Sequence, residues 1–251
     1  MRSILLIARK DLRSYFYSPI AYVVIAMFLL IVGWMFSNLF SFYAQSLQQY
    51  AAINSGTPPT LTENLLRPLF GNINVVLLFV APFVTMRLLA EEAKDHTVEL
   101  LLTAPIRSID IIFGKFLAGL GILMAMILIT LVYPVMLHFI AQPDWGAVFG
   151  CYLGILFVAA TYVAVGLFWS SRTENQIVAA TLTFGTLLFF WLISWSAHRA
   201  GPVMSDFLNG LSLIGHYTNF SLGVIDTTDI VFYLSFTGFA LFLTNLSMEK
   251  N

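Results

Sequence analysis

Long apolar blocks alternate with short polar segments along this chain. Six blocks are long enough to cross about 30 Å of hydrocarbon as a helix, and they lack the alternating apolar and polar residues of membrane-barrel strands. The pattern therefore predicts an all-α polytopic membrane protein, with one transmembrane domain over residues 1–251. The six predicted spans are residues 20–42, 69–86, 116–140, 147–169, 176–197 and 230–246.

Residues 1–18 have a different pattern, in which apolar residues recur at helical spacing among basic residues that include Arg9, Lys10 and Arg13. This predicts an amphipathic interfacial helix lying along the membrane surface, with Pro19 marking the break before the first span. A cleaved signal peptide is the competing interpretation. The apolar run that follows is too long for one and lacks a clear cleavage site, so we expect an uncleaved span.

The loop over residues 87–115 carries much of the charge of the chain and separates the second span from the third. Its middle predicts a short helix, because Thr97 can cap it and Pro105 ends it. The apolar side of that helix is formed by Val98, Leu100, Leu101 and Leu102. A charged loop with an apolar face indicates a docking element for another protein, although the same leucines could rest on lipid headgroups.

Composition and charge fit this picture and give the chain an orientation. Hydrophobic residues make up 59% of the sequence and charged residues 10%, with a mean hydropathy of +0.86. A net charge of -1 with no basic patch gives no support for a nucleic-acid partner. Ten of the 12 Lys and Arg residues fall on one side of a six-span arrangement, all except Arg67 and Arg199. The positive-inside rule therefore predicts that both termini and the loop 87–115 are cytoplasmic.

The two remaining long polar segments are predicted to lie outside. They cover residues 43–68 and 198–229. The second contains semi-apolar stretches at 207–214 and 220–225, which suggest short helices at or dipping into the outer interface. The single cysteine, Cys151, lies inside an apolar block and is expected to be a packing residue.

Asp, Glu, Lys and Arg are missing from the six predicted spans, and only His138 lies near the end of one. Ion-coupled transporters usually need such groups within the membrane, so a secondary transporter is disfavoured. A proton relay at His138 remains an alternative to a structural role. The chain also lacks a phosphate-binding GxxxxGK[ST] loop, because Gly114-Lys115 has neither the earlier glycine nor the following hydroxyl residue.

No catalytic or metal constellation is visible in the sequence. Glu91 and Glu92 are adjacent and point in different directions on a helix, which makes them a poor acid–base pair. His96 and Glu99 lie three residues apart without a further ligand nearby. We therefore expect a non-enzymatic chain with no cofactor or metal of its own.

Several of these segments resemble one known family. They are Ala8–Pro19 (ARKDLRSYFYSP), Arg87–Glu92 (RLLAEE), Thr97–Pro105 (TVELLLTAP), Gly114-Lys115 and His216–Asp229 (HYTNFSLGVIDTTD). Together with the six spans they are similar to type-2 ABC exporter permeases, and the likeness is strongest to the gliding-motility-associated branch. One departure is Asp95-His96, where such proteins commonly carry a glycine next to the threonine.

The resemblance implies how the chain would work. In that family two permease chains pair, and each loop between spans two and three presents a coupling helix to a separate ATP-binding subunit, which holds the ATP and Mg²⁺. The implied coupling residues are Glu91, Glu92, Thr97, Val98, Glu99, Leu100, Leu101 and Pro105. Small residues at Gly150 and Gly154 would allow close helix packing, either between chains or within one.

The implied function is that of a permease subunit in a bacterial cytoplasmic membrane, alone or with an exterior auxiliary protein. Two alternatives stay open from the residues. The chain could be a membrane scaffold whose charged loop binds a partner that is not an ATPase. It could also be a mechanotransmitting subunit in which ATP hydrolysis moves an outer-side partner and no substrate crosses.

Overall fold

The computed structural model describes residues 2–53, 59–94, 107–140, 142–197 and 201–249. The helices in these ranges are α1 (Arg2–Tyr17), α2 (Pro19–Ile53), α3 (Arg67–Thr85), α4 (Ala90–Lys94), α5 (Ser108–Ile129), α6 (Val132–His138), α7 (Trp145–Ser170), α8 (Gln176–Ala197), α9 (Pro202–Leu211), α10 (Leu213–Ser221) and α11 (Thr227–Met248). A short π-helix, Thr62–Leu66, leads directly into α3.

Six helical stretches in the described part of the chain are long and apolar enough to span a membrane. They are Pro19–Ala52, Thr62–Lys94, Ser108–His138, Trp145–Ser170, Gln176–Ser194 and Thr227–Met248. Each contains one of the six apolar blocks or most of it, so the predicted all-α polytopic fold is confirmed. The segment 198–229, expected to be a loop with short helices, contains α9 and α10.

The third span differs most from its expected bounds. Its helix begins at Ser108 rather than at residue 116, so it takes in Asp110 and Lys115. It breaks after Ile129 and resumes as α6. Pro134 explains the break, because proline has no N–H and its ring clashes with the carbonyl four residues earlier, at Thr130.

The centre of the molecule is α7, which packs against α3, α5, α8, α10 and α11. Its small residues allow close approach of its neighbours: a Cβ added at Gly166 would lie 2.0 Å from Oγ1 of Thr85 in α3. One polar contact is buried in the same interface, where the Tyr162 hydroxyl donates to Oδ1 of Asn74 over 3.0 Å. Burial of this pair is tolerated because each group satisfies the other.

The glycines at 150 and 154 pack within the chain. A Cβ at Gly150 would meet the Phe220 carbonyl oxygen at 2.7 Å, and one at Gly154 would meet the Phe220 side chain at the same distance. These positions therefore receive α10. This surface is thus occupied by α10 of the same chain.

Helix α1 packs lengthwise along the first half of α5. Ile7 lies against Gly114, and Leu12 lies against Gly121. Because the numbering rises in both helices along the contact, they run parallel. The orientation of α1 relative to the membrane surface stays a prediction. The break before α2 falls at Ser18, next to Pro19 as expected.

Candidate functional site

A tight turn follows α3 and carries the chain into α4. The Ser170 hydroxyl, at the last residue of α7, forms three hydrogen bonds with the backbone of this turn. It accepts from the backbone N–H groups of Leu89 (3.0 Å) and Ala90 (2.9 Å) and donates to the Met86 carbonyl (3.1 Å). Since the first N–H groups of a helix have no partner within it, Ser170 acts as the cap of α4 from another helix. We call residues 86–94 the elbow.

The elbow is seated in the protein by its apolar residues. Leu88 is 2% exposed, Leu89 3% and Ala90 0%. Leu88 also fills the space beside Gly119 of α5, where an added Cβ would lie 3.1 Å from its Cδ1. The start of the predicted coupling loop is thus fixed against α5 and α7.

Lys115 joins the elbow to α1. Its Nζ lies 2.8 Å from Oε2 of Glu92 and 3.2 Å from Oδ2 of Asp11, and its side chain is only 3% exposed. The two carboxylates are 18% and 13% exposed. A buried ammonium group is stable only when it is paired and hydrogen-bonded, so these three side chains depend on one another. We call Asp11, Glu92 and Lys115 the inner ion cluster.

A second contact ties α1 to the end of α3. The Tyr15 hydroxyl donates to the carbonyl of Val84. Burial raises the pKa of Tyr15 well above its usual value, and the negative charge of Asp11 adds to this rise. Tyr15 therefore stays protonated and keeps donating over the physiological range.

A different polar cluster lies at the opposite end of the spans, where α10 meets α11. His216 Nδ1 lies 2.6 Å from Oδ1 of Asp229, and the Asn219 amide donates to Oδ2 over 2.9 Å. Asp229 is 2% exposed although it belongs to the first turn of α11. The His216 ring stacks on Phe232 with centroids 4.0 Å apart. We call Asp229, His216 and Asn219 the outer cluster.

A family model described as ABC-2 family transporter protein matches residues 5–246, which is nearly the whole chain. The chain belongs to the ABC-2 family. It is accordingly the transmembrane permease component of an ABC transporter, a kind of subunit that generally works with an ATP-binding subunit and is generally not itself catalytic. The comparison with curated proteins finds no match.

The structure places only part of this ABC-2 protein's predicted coupling set. Glu91 is exposed on α4, whereas Glu92 turns inward and pairs with Lys115. The rest of the set lies outside the described residues: Thr97, Val98, Glu99, Leu100, Leu101 and Pro105.

The basic residues predicted for the amino-terminal helix are all on one side. Arg9, Lys10 and Arg13 are exposed, while Asp11 faces α5. The apolar residues Leu5 and Leu6 are each 66% exposed on the same outward side. The inward face of α1 therefore packs against α5, whereas its outward face is both cationic and apolar.

Asp11, Lys115 and Ser170 were missed as site residues. The sequence pattern places Lys115 in the loop, because charged residues usually lie in solvent, and Asp11 on the polar face of α1. A signal for Asp11 was present, since Ile4, Ile7, Asp11 and Tyr15 follow one stripe at spacings of three and four residues. Ser170 gave no signal, because its partners depend on how α3 and α7 pack.

Proposed function

We propose that this chain couples ATP hydrolysis by a separate ATP-binding subunit to export, or to movement of an outer-side partner. The observation that carries the proposal is the inner ion cluster. It connects the elbow, which opens the predicted coupling loop, to two other helices through a buried lysine. A force applied to the loop reaches α1 and α5 through this cluster.

The elbow is suited to receive such a force. It joins α3 directly to residues 95–106, where the sequence predicts the apolar coupling face. Glu91 and Lys94 are exposed on α4 and are free to face a partner's charges. Ser170 and the buried leucines prevent the elbow from sliding independently of α7. Displacement of the loop would therefore move packed helices rather than bend a slack connection.

The inner ion cluster ties three helices together during such a movement. Lys115 can keep both carboxylates only while α1, α4 and α5 stay in register. Because an ion pair strengthens as water is excluded, separation of these helices would cost more than a shift between solvated charges. A contact of this kind would carry a nucleotide-driven change from the loop to the packed helices.

Apolar grooves between the spans indicate which class of substrate this protein would move. One of about 420 Å³ lies between α3 and α8 and is lined by Phe79, Phe83, Ile177 and Phe184 among others. Such walls suit lipid or a hydrophobic peptide. They also suit acyl chains of the bilayer alone. A mechanotransmitting subunit without a translocated substrate is therefore the second candidate function, and a membrane scaffold is the third.

The wider assembly is part of the proposal. We place the protein in a bacterial cytoplasmic membrane with both termini cytoplasmic, because ten of 12 basic residues fall on that side. A second permease chain, identical or different, would complete the channel, and the outer helices α9 and α10 offer a surface for an exterior auxiliary protein. Assignment to the gliding-motility-associated branch rests on the motif resemblance.

The test is co-expression with a candidate ATP-binding subunit, followed by co-purification and ATPase measurement. We expect Leu100→Asp/Leu101→Asp to abolish both association and stimulated ATPase activity, because carboxylates would enter the apolar docking face. Leu222→Asp/Val224→Asp is the matched control. It adds the same two charges at exposed apolar positions near the outer cluster, 46% and 55% exposed.

The outcomes separate the candidate functions. Loss of binding only in the 100/101 variant, with normal membrane insertion, supports coupling through the loop. If wild type binds no ATP-binding subunit, or if the variant binds as well as wild type, the coupling proposal fails and the scaffold takes its place. Stimulated ATPase activity without transport of any supplied hydrophobic substrate would favour mechanotransmission.

A further inference from the structure

The outward face of α1 has a composition unlike the rest of the helix. Four residues follow one line along it at spacings of four, three and four: Leu6, Lys10, Arg13 and Tyr17. All four are exposed, with Tyr17 at 85%. Leu5 and Arg9 extend the same face. This surface is apolar and cationic at once.

The charge of this face is purely positive because of the inner ion cluster. Asp11 is the only acidic residue in α1, and it turns away to lie 3.2 Å from Lys115. Asp11 follows Lys10 in sequence, and a carboxylate facing outward at this position would offset the charge of Lys10. Packing against α5 thus removes the one carboxylate and leaves Arg9, Lys10 and Arg13 outward.

The position of the face indicates what covers it. Only Ser18 separates α1 from the spanning helix α2, whose first turns expose Tyr22 and Val23 at 59% and 56%. Tyrosines at 17 and 22 fit the level at which a chain enters a bilayer. Since Arg9 is eight residues before Tyr17, the cations lie within about 12 Å of that level along the helix.

We infer that the outward face of α1 binds anionic phospholipid headgroups. The three cations meet the phosphates, and Tyr17 lies at the level where the chain enters the bilayer. Docking of a soluble partner would not explain why the cations lie just before the start of a spanning helix. The contact would hold α1 at the membrane while its other face stays on α5.

The experiment uses the full chain purified in a neutral detergent. Native mass spectrometry measures the affinity for phosphatidylglycerol and for phosphatidylcholine with the same acyl chains. We expect wild type to prefer phosphatidylglycerol, and Arg9→Gln/Lys10→Gln/Arg13→Gln to reduce the ratio of affinities at least ten-fold. A basic residue near an anionic surface contributes about five-fold in affinity.

The matched control is Lys94→Gln/Arg107→Gln/Arg172→Gln, which removes the same charge at exposed positions outside α1. It should keep the preference, as should the charge-conserving Arg9→Lys/Arg13→Lys. Circular dichroism checks helicity, and Arg13→Gln alone, with an expected loss of about five-fold, serves if the triple variant misfolds.

Two results would overturn the inference. One is an unchanged lipid preference in the α1 variant, or an equal loss in both triple variants. The other is an α1 variant that keeps its lipid preference but no longer co-purifies with the ATP-binding subunit. The face would then belong to that protein. The lipid-affinity measurement does not depend on whether residues 100 and 101 dock a partner, so this inference and the proposed function can fail separately.

Discussion

The inner ion cluster and the outer cluster both bury a charged side chain within the first turns of a long helix, yet they connect the chain differently. Lys115 reaches Asp11, 104 residues away in sequence. Asp229 is held by His216 and Asn219, which are 13 and ten residues away. The inner cluster joins distant elements, whereas the outer one closes a local unit.

This difference separates transmission from local stability. A contact between helices that are far apart in sequence can carry motion from one part of the fold to another. A contact within one compact segment mainly keeps that segment folded. We therefore expect changes at the inner cluster to affect coupling to the ATP-binding subunit, and changes at the outer cluster to remain near α10.

The largest effect is expected for Lys115→Met. It leaves Asp11 and Glu92 facing each other without their cation and should lower the free energy of unfolding by ~3 kcal/mol. Because both carboxylates are partly exposed, this value is at the low end for a broken buried pair. Denaturant titration in micelles, followed by circular dichroism, measures it, and stimulated ATPase activity should fall as well.

Two further variants define that result. Lys94→Met removes an exposed lysine from the elbow and should change stability by less than about 0.5 kcal/mol. Adding Asp11→Asn and Glu92→Gln to Lys115→Met should recover most of the loss, since no unpaired charge remains. If the triple variant is no more stable than Lys115→Met, the three side chains do not act as one cluster.

Asp229→Asn should have a smaller and more local effect. It replaces a carboxylate that accepts from two side chains and should cost about 2 kcal/mol. Hydrogen exchange should quicken around α10 while stimulated ATPase activity stays at the wild-type level. Asp206→Asn, at an exposed position on α9, is the control. A loss of coupling in Asp229→Asn alone would remove the distinction between the two clusters.

The smallest effect concerns acid stability at Asp226, the exposed cap of α11. The Thr228 N–H donates to its carboxylate over 2.9 Å, and this bond lowers the pKa of Asp226 below its usual value. The contribution is present above the unfolded-state pKa and is lost as pH falls through the lowered one. Melting curves from pH 5 to pH 2 should decline slightly less for Asp226→Asn; an identical decline would contradict this.

The sequence predicts the spans well because each is a continuous apolar block, and hydropathy depends little on tertiary contacts. The break near Pro134 follows from backbone chemistry alone. The neighbour of Gly154 could not be predicted, since small residues permit close packing without specifying a partner. Phe220 occupies that surface only because α10 folds back onto α7.

The candidate site was predicted less well for a related reason. A charged residue is expected to be exposed to solvent. This holds for Glu91 but not for Lys115, whose burial depends on two carboxylates from other helices. The coupling role of the residues from Thr97 to Pro105 remains a prediction.

The parallel packing of α1 on α5 also has a consequence for synthesis. Helix α1 leaves the ribosome before its binding surface exists, because Lys115 is made roughly 5–20 s later at ordinary elongation rates. Until then the inward face of α1, with the carboxylate of Asp11, has no helix to pack against. Seating of this helix therefore reports that the first three spans have come together in the nascent chain.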